Sequence, residues 1–327
     1  MRKMRIRKKL LLAAVILVAL LLVICVLASN YLVNYAIGRG GDGGNRTVAL
    51  EIPETADDTQ RTILEGQIEQ KSANEAFLAE HPGETVTITS MDNVRCSGVY
   101  YENADSHNWV LALHGYRCTH LNELRLAQPY YDRGYQVVTP DLRACGETEG
   151  KYLGMGWLDR RDVLSWIDWI IQQDPAAQIV IHGVSMGAAT TMMVSGEETP
   201  DQVVAFVEDC GYTSVWDIFS SELKLRFGMP EFPLLYTANL ISMAKAGYSF
   251  TQASALEQVK KCQKPMLFIH GTADDFIPYE MMDILYQAKP GDNKAQITAP
   301  GAGHGDAMYL LGEEYWNQVF AFLEAEV

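Results

Sequence analysis

Past its ninth residue the chain is short of positive charge. Six of the 26 Lys and Arg residues (Arg2, Lys3, Arg5, Arg7, Lys8 and Lys9) precede residue 10, and the other 20 face 41 Asp and Glu, a net charge of −21 for the remainder. Such a surface repels nucleic acid and anionic lipid headgroups, which removes both from the expected ligands; solubility accounts for the charge equally well. Cysteine is scarce too. Five of the six (Cys96, Cys118, Cys145, Cys210 and Cys262) lie beyond residue 28. An odd number leaves at least one unpaired in a monomer, and none has metal-ligand spacing. Cys118 and Cys145 fall in loops above the expected sheet and form the one pair placed to bridge, while most of the five read as buried small hydrophobes. No internal repeat or low-complexity tract is present, so neither a solenoid nor a disordered chain is expected. With 48% hydrophobic residues among 327, the sequence can fill one large core.

One long apolar run stands out. Leu10 to Ala28 is nineteen residues without a charge, which at ~1.5 Å per residue nearly crosses a ~30 Å hydrocarbon layer. The basic residues before it leave the N-terminus in the cytoplasm and the rest of the chain outside, in the cell membrane as a single-pass protein. A cleaved signal peptide is the rival, with Val26-Leu27-Ala28 a passable cleavage site, but the run is longer than the usual apolar region of such peptides. The expected organisation is a basic segment 1–9, an anchor 10–33, a linker 34–60 holding the glycine-rich spacer Gly38 to Gly44, and a globular domain 61–327.

Short apolar runs then alternate with longer helical patterns. Val86 to Thr89 and Gly98 to Tyr101 flank a turn at Asp92-Asn93, an antiparallel edge hairpin. Further strands are expected at Trp109–Leu113, Gln136–Val138, Ile179–Ile181, Val203–Val207, Met266–Ile269 and Ala295–Thr298, with helices near 122–133, 156–173, 186–195, 279–288 and 306–325. This alternation predicts an α/β domain with a mostly parallel sheet. Between about 212 and 264 the rhythm breaks, and the apolar content (Trp216, Phe219, Leu223, Phe227, Phe232) predicts two helices forming a small cap over the carboxyl ends of the strands.

Gly183-Val184-Ser185-Met186-Gly187 joins one such strand to a small-residue helix, the setting of a nucleophile elbow. A serine hydroxyl attacks only if a base takes its proton and a third group orients that base. In the chain order acid then base, Asp274 is the leading acid, with Asp275 and Asp209 as rivals. Among seven histidines, His304 alone lies late, in a glycine-rich loop before the last helix. His114, His182 and His270 each sit at a strand end before glycine and read as structural. The backbone N–H groups of Tyr116 and Met186 are the candidate oxyanion donors, and Arg117 is either a carboxylate binder or a solvated loop residue.

His114-Gly115-Tyr116, Asp141 to Gly150, Gly183 to Gly187, His270 to Pro278 and Gly303-His304 together resemble the α/β-hydrolase superfamily, in its serine aminopeptidase-like branch, from about Glu84 to the C-terminus. Two departures, Cys145 where such proteins usually carry histidine and Thr148 where they carry serine, touch a structural loop. The resemblance implies the α/β-hydrolase fold and a serine hydrolase using Ser185, Asp274 and His304. Haloalkane dehalogenases of this fold use an aspartate nucleophile, so Ser185 excludes their chemistry. Cleavage of a carboxylic ester or thioester is the expected activity. A peptidase or amidase, and a binding protein without turnover, are the alternatives. No metal or organic cofactor is expected; the expected partners are a small acylated or peptide substrate and the membrane, with oligomeric state left open.

Overall fold

The computed structural model describes residues 2–40, 51–103 and 106–326. Strands β1 (Glu84–Thr89), β2 (Arg95–Tyr101), β3 (Asn108–Leu113), β4 (Gln136–Pro140), β5 (Gln178–Val184), β6 (Val203–Asp209), β7 (Met266–Gly271) and β8 (Lys294–Ala299) form one sheet in the order β1-β2-β4-β3-β5-β6-β7-β8. The hairpin β1–β2 is antiparallel at the edge, β2 meets β4 antiparallel, and every later pair is parallel. This is the α/β-hydrolase fold. Strands β5 and β7 are buried on both faces, which is why they read as unbroken apolar runs rather than alternating ones.

Eleven helices surround the sheet among the described residues: α1 (Arg2–Ile37), α2 (Asp58–Glu80), α3 (Leu124–Tyr131), α4 (Asp159–Gln173), α5 (Met186–Ser195), α6 (Val215–Phe227), α7 (Leu234–Ala246), α8 (Ala255–Val259), α9 (Glu280–Ala288), α10 (Ala307–Leu311) and α11 (Glu313–Glu326). Helix α2 opens with a reciprocal cap: the Gln60 N–H donates to the Asp57 carboxylate at 2.8 Å and the Asp57 N–H to the Gln60 side chain. The single C-terminal helix expected from the sequence is two. Gly312, at φ 56° and ψ −128°, breaks it in a conformation that side chains rarely adopt.

The N-terminal region departs most from expectation. Helix α1 runs to Ile37, past residue 33, and its last turns are docked rather than free. Cys25, Ser29, Val33 and Ile37, spaced four apart on one face, turn toward the body of the protein; Val33 and Ile37 are buried. The Ser29 hydroxyl donates to the Leu234 carbonyl at 3.0 Å. Gly38 to Gly40 is not a loose spacer: Arg39 donates to the carbonyls of Thr148 and Gly146 at 2.7 Å each, and Gly38 bridges to Tyr152. The rest of the expected spacer, Gly41 to Gly44, lies outside the described residues. All six cysteines are free, so the Cys118–Cys145 bridge does not form.

Candidate active site

Strand register sets the site. Leu113 pairs with Gly183, Val184 with Asp209, and Gly271 with Ala299, so the loops after β3, β5, β6, β7 and β8 leave the sheet along one edge. Ser185 follows β5 at φ 60° and ψ −117°, a strained backbone of order 1–3 kcal/mol that only its surroundings can hold. Glycine on either side makes this possible. A Cβ on Gly183 would stand 2.2 Å from the Gly187 carbonyl, and one on Gly187 would stand 1.9 Å from the Leu113 carbonyl oxygen. The Ser185 N–H donates to the Asp209 carbonyl at 2.8 Å, tying the elbow to β6.

Three side chains far apart in sequence converge here. His304 Nε2 lies 2.8 Å from Ser185 Oγ, and His304 Nδ1 lies 2.8 Å from Asp274 Oδ2. A carboxylate can only accept, so Nδ1 carries the proton and Nε2 is left to accept from the hydroxyl. Asp274 is itself held: its Oδ1 accepts the N–H groups of Phe276 and Ile277, and its Oδ2 lies 3.2 Å from His270 Nε2. Burial pushes the Asp274 carboxyl up, but hydrogen bonds from His270 and His304 outweigh it and hold the group well below the usual carboxylate range. The rivals fall away on geometry. Asp275 is exposed, and Asp209 accepts from Tyr315 instead.

The other strand-end histidines are structural, as expected. His114 accepts the Leu142 N–H on Nε2 and meets the Gly115 carbonyl with Nδ1, and burial pushes its pKa down to about 4. His182 sits between the hydroxyls of Tyr130 and Tyr315. His270 was legible as structural; that its partner is Asp274 was not. In the loop where two departures occur, Thr148 donates to the Asp141 carbonyl at 2.7 Å and accepts the Ser97 N–H, so its hydroxyl ties the loop to β2.

Met186 is the first residue of α5, so its N–H has no partner within the helix. Gly115 brings the loop after β3 alongside: a Cβ there would stand 3.6 Å from Ser185 Cβ. Tyr116 and Arg117 reach the other way, to the end of α1. The Tyr116 hydroxyl donates to the Ala36 carbonyl at 2.5 Å, and the Arg117 guanidinium donates to the carbonyls of Tyr35, Ala36 and Gly38. Arg117 thus caps the negative end of the N-terminal helix through one guanidinium nitrogen, while the same half-buried side chain lines the cavity above Ser185 and its Nε has no partner among the described residues. Sequence reading missed this because a helix end offers no side-chain signal to pair with.

Above Ser185 and His304 lies a cavity of about 320 Å³, walled by α6 and α7 (Ile218, Phe219, Leu223, Leu235, Ala238), by Tyr116 and Met155, and by Leu32, Val33, Tyr35 and Ala36 of α1. The helices expected as a cap thus form its roof. Cys210, Asp274 and His304 place one ligand atom each within 4.8 Å of one another, but the imidazole and carboxylate are already bonded together. Burial, reinforced by Asp209, keeps the Cys210 thiol well above its ordinary pKa, far from the thiolate a metal takes.

Glu208, fully buried at the end of β6, was not singled out by sequence. It accepts the Gly211 N–H at 2.9 Å through one oxygen. Burial pushes its pKa from 4.5 up to about 8, opposed by His270 and the Gly211 bond and assisted by Asp209. Between those values the folded chain keeps a proton that the unfolded chain has lost, so this group's contribution to stability falls as pH rises. Melting curves of the full chain and of Glu208→Gln should therefore diverge from pH 5 to pH 8 in favour of the variant; parallel curves would contradict the assignment.

Comparison with known proteins agrees with this architecture. The model of the prolyl oligopeptidase family matches residues 122–327. An uncharacterised Bacillus subtilis protein, YqkD, is 28% identical over 228 residues, covering 69% of this chain and 74% of its own length. The lysophosphatidylserine lipase ABHD12 of Macaca fascicularis is 27% identical over 199 residues, 58% of this chain and 47% of that one. A Saccharomyces cerevisiae protein described as an uncharacterised membrane protein, YNL320W, is 23% identical and covers 74% of this chain and 80% of its own. Among solved structures, the Pyrococcus furiosus esterase Pf2001 superposes with a TM-score of 0.62 at 24% identity, covering 76% of this chain and 94% of the esterase.

Proposed function

The chain belongs to the prolyl oligopeptidase family, and from that premise we propose that it is a membrane-anchored, extracytoplasmic serine hydrolase that cleaves a carboxylic ester or thioester. The observation that carries this reading is the pair of 2.8 Å contacts linking Asp274, His304 and Ser185. Ser185 Oγ attacks the carbonyl carbon while His304 Nε2 takes its proton, and Asp274 stabilises the imidazolium. The N–H groups of Tyr116 and Met186 receive the oxyanion of the tetrahedral intermediate. As it collapses, the carbonyl to leaving-group bond breaks and His304 returns the proton to the departing alcohol or thiol. Water, deprotonated by the same imidazole, then releases the acid and restores Ser185.

A mostly apolar roof, broken by Glu222 and Arg226 of α6, supports an acyl group as the part of the substrate held above the serine. Helix α1 is long and apolar enough to cross a membrane, and the membrane designation of the yeast relative supports anchoring. The family's name favours a second reading, a peptidase or amidase. Turnover of an aryl ester and of an aminoacyl arylamide by the full chain separates them: the first reading expects the ester to be hydrolysed with kcat/KM at least tenfold higher. A preference for the arylamide would establish the second.

A further inference from the structure

The outer surface of the cap carries a band of large apolar side chains that no other described residue covers. Phe227 closes α6, Met229 and Phe232 stand in the connector, the latter at 72% exposure, and Tyr236, Leu240 and Met243 follow on α7, with Leu240 at 65%. A patch of this kind on a soluble face is unusual and marks a surface made for an apolar partner. Its position identifies the partner. Helix α1 is bare from residue 5 to residue 24 and docks on α7 from Cys25 onward, through Cys25 Sγ to Thr237 Oγ1 at 3.4 Å and Ser29 Oγ to Leu234. Cys25 belongs to the apolar run that ends at Ala28, before the polar Ser29 and Asn30. The start of α7 and the connector before it therefore stand beside the last turn of the span, below the hydrocarbon edge rather than above it.

Charge agrees. From Val215 to Ala246, Lys224, Arg226 and Lys245 balance Asp217, Glu222 and Glu231, so the cap is neutral on a domain that otherwise repels anionic headgroups. The cavity above Ser185 is walled by Leu32, Val33, Tyr35 and Ala36, four to eight residues past the run, or about 6–12 Å of helix rise. An acyl chain of ordinary length spans that interval.

Resting on the proposed hydrolase and its anchor, we propose that the cap seats its apolar tip in the leaflet that α1 crosses, and that the cavity fills from that leaflet with the acyl chain of a membrane-resident lipid ester. The rigid docking of α1 serves this arrangement: it holds the cap at one depth and forms the wall along which the chain enters.

The test uses the full chain in phospholipid nanodiscs. A photoactivatable diazirine side chain replaces Leu240 or, as a control, the exposed Asp201 in the turn that opens β6 at the opposite end of the sheet. Lipid adducts at position 240 exceeding those at 201 by at least tenfold are expected; equal or absent adducts at 240 would overturn the proposal. In parallel, Phe232→Ser/Leu240→Ser is assayed on a water-soluble short-chain aryl ester and on a long-chain ester embedded in the disc. The variant should keep the first rate within twofold and lose the second by at least tenfold. Retention of both rates would overturn entry from the leaflet. If the unsubstituted chain turned over neither ester while lipid adducts formed at 240, the hydrolase reading would fail and the membrane seat would stand.

Discussion

Replacing His304 with alanine should lower kcat toward an aryl ester by roughly 10⁴- to 10⁶-fold with little change in KM. The size follows from the unit character of the site. Ser185 has no other base within reach: His114, His182 and His270 are buried and committed to the Leu142 N–H, two tyrosine hydroxyls and Asp274. Without the imidazole the hydroxyl keeps its proton, and only the oxyanion donors and binding remain. His107→Ala, at an exposed histidine paired with Asp174, is the control and should leave turnover within twofold. Steady-state kinetics of the three proteins make the comparison; a loss of less than tenfold for His304→Ala would contradict the assignment.

Asp274→Asn should be nearly as severe, about 10⁴-fold in kcat, through a different route. The amide oxygen can take over the role of Oδ1, which accepts the Phe276 and Ile277 N–H groups. That leaves the amide NH₂ facing His304 Nδ1. A donor there forces Nδ1 to become the acceptor and moves the ring proton to Nε2, pointing it at Ser185. The base is then present, correctly placed, and in the wrong tautomer. His270 sharpens the contrast, since its Nε2 also donates toward Asp274 Oδ2 and would meet the same NH₂. Activity measured beside a melting curve distinguishes the two effects: the expected result is a fold that still melts cooperatively and turnover that is nearly gone. An Asp274→Asn variant that kept more than a tenth of normal turnover would sink the argument.

How much of this was legible depends on whether a residue's role is local. The elbow was, because the demands on Gly183 and Gly187 arise from the strand and helix that the same pentapeptide joins. Chain order pointed to His304, and the place just after β7 to Asp274, with Asp275 and Asp209 left open; the fold brings Asp274 rather than these two against His304. Strands β5 and β7 were readable because both-face burial leaves unbroken apolar runs. The break at Gly312 was not, since a single glycine inside a helical pattern is often tolerated.

The docking of α1 was the largest omission, and its cause is contrast. Cys25 lies in a run where every residue is apolar, and Ser29, Val33 and Ile37 follow in a stretch whose polar residues, Asn30 and Asn34, set off no clear face, so only tertiary contacts reveal it. Gly38 to Gly40 looked like a spacer for a related reason. Glycine predicts freedom of the backbone, but Arg39, between two of them, fastens that stretch to the loop after β4. The Arg117 cap and the buried Glu208 likewise depend on partners that the local sequence does not announce.

Reaction of the full chain with a fluorophosphonate probe, followed by peptide mapping, tests the central claim most directly. A single covalent phosphonyl adduct on Ser185, absent from Ser185→Ala, is the predicted result. Equal labelling of the two proteins, or an adduct on any other residue in place of Ser185, would contradict it.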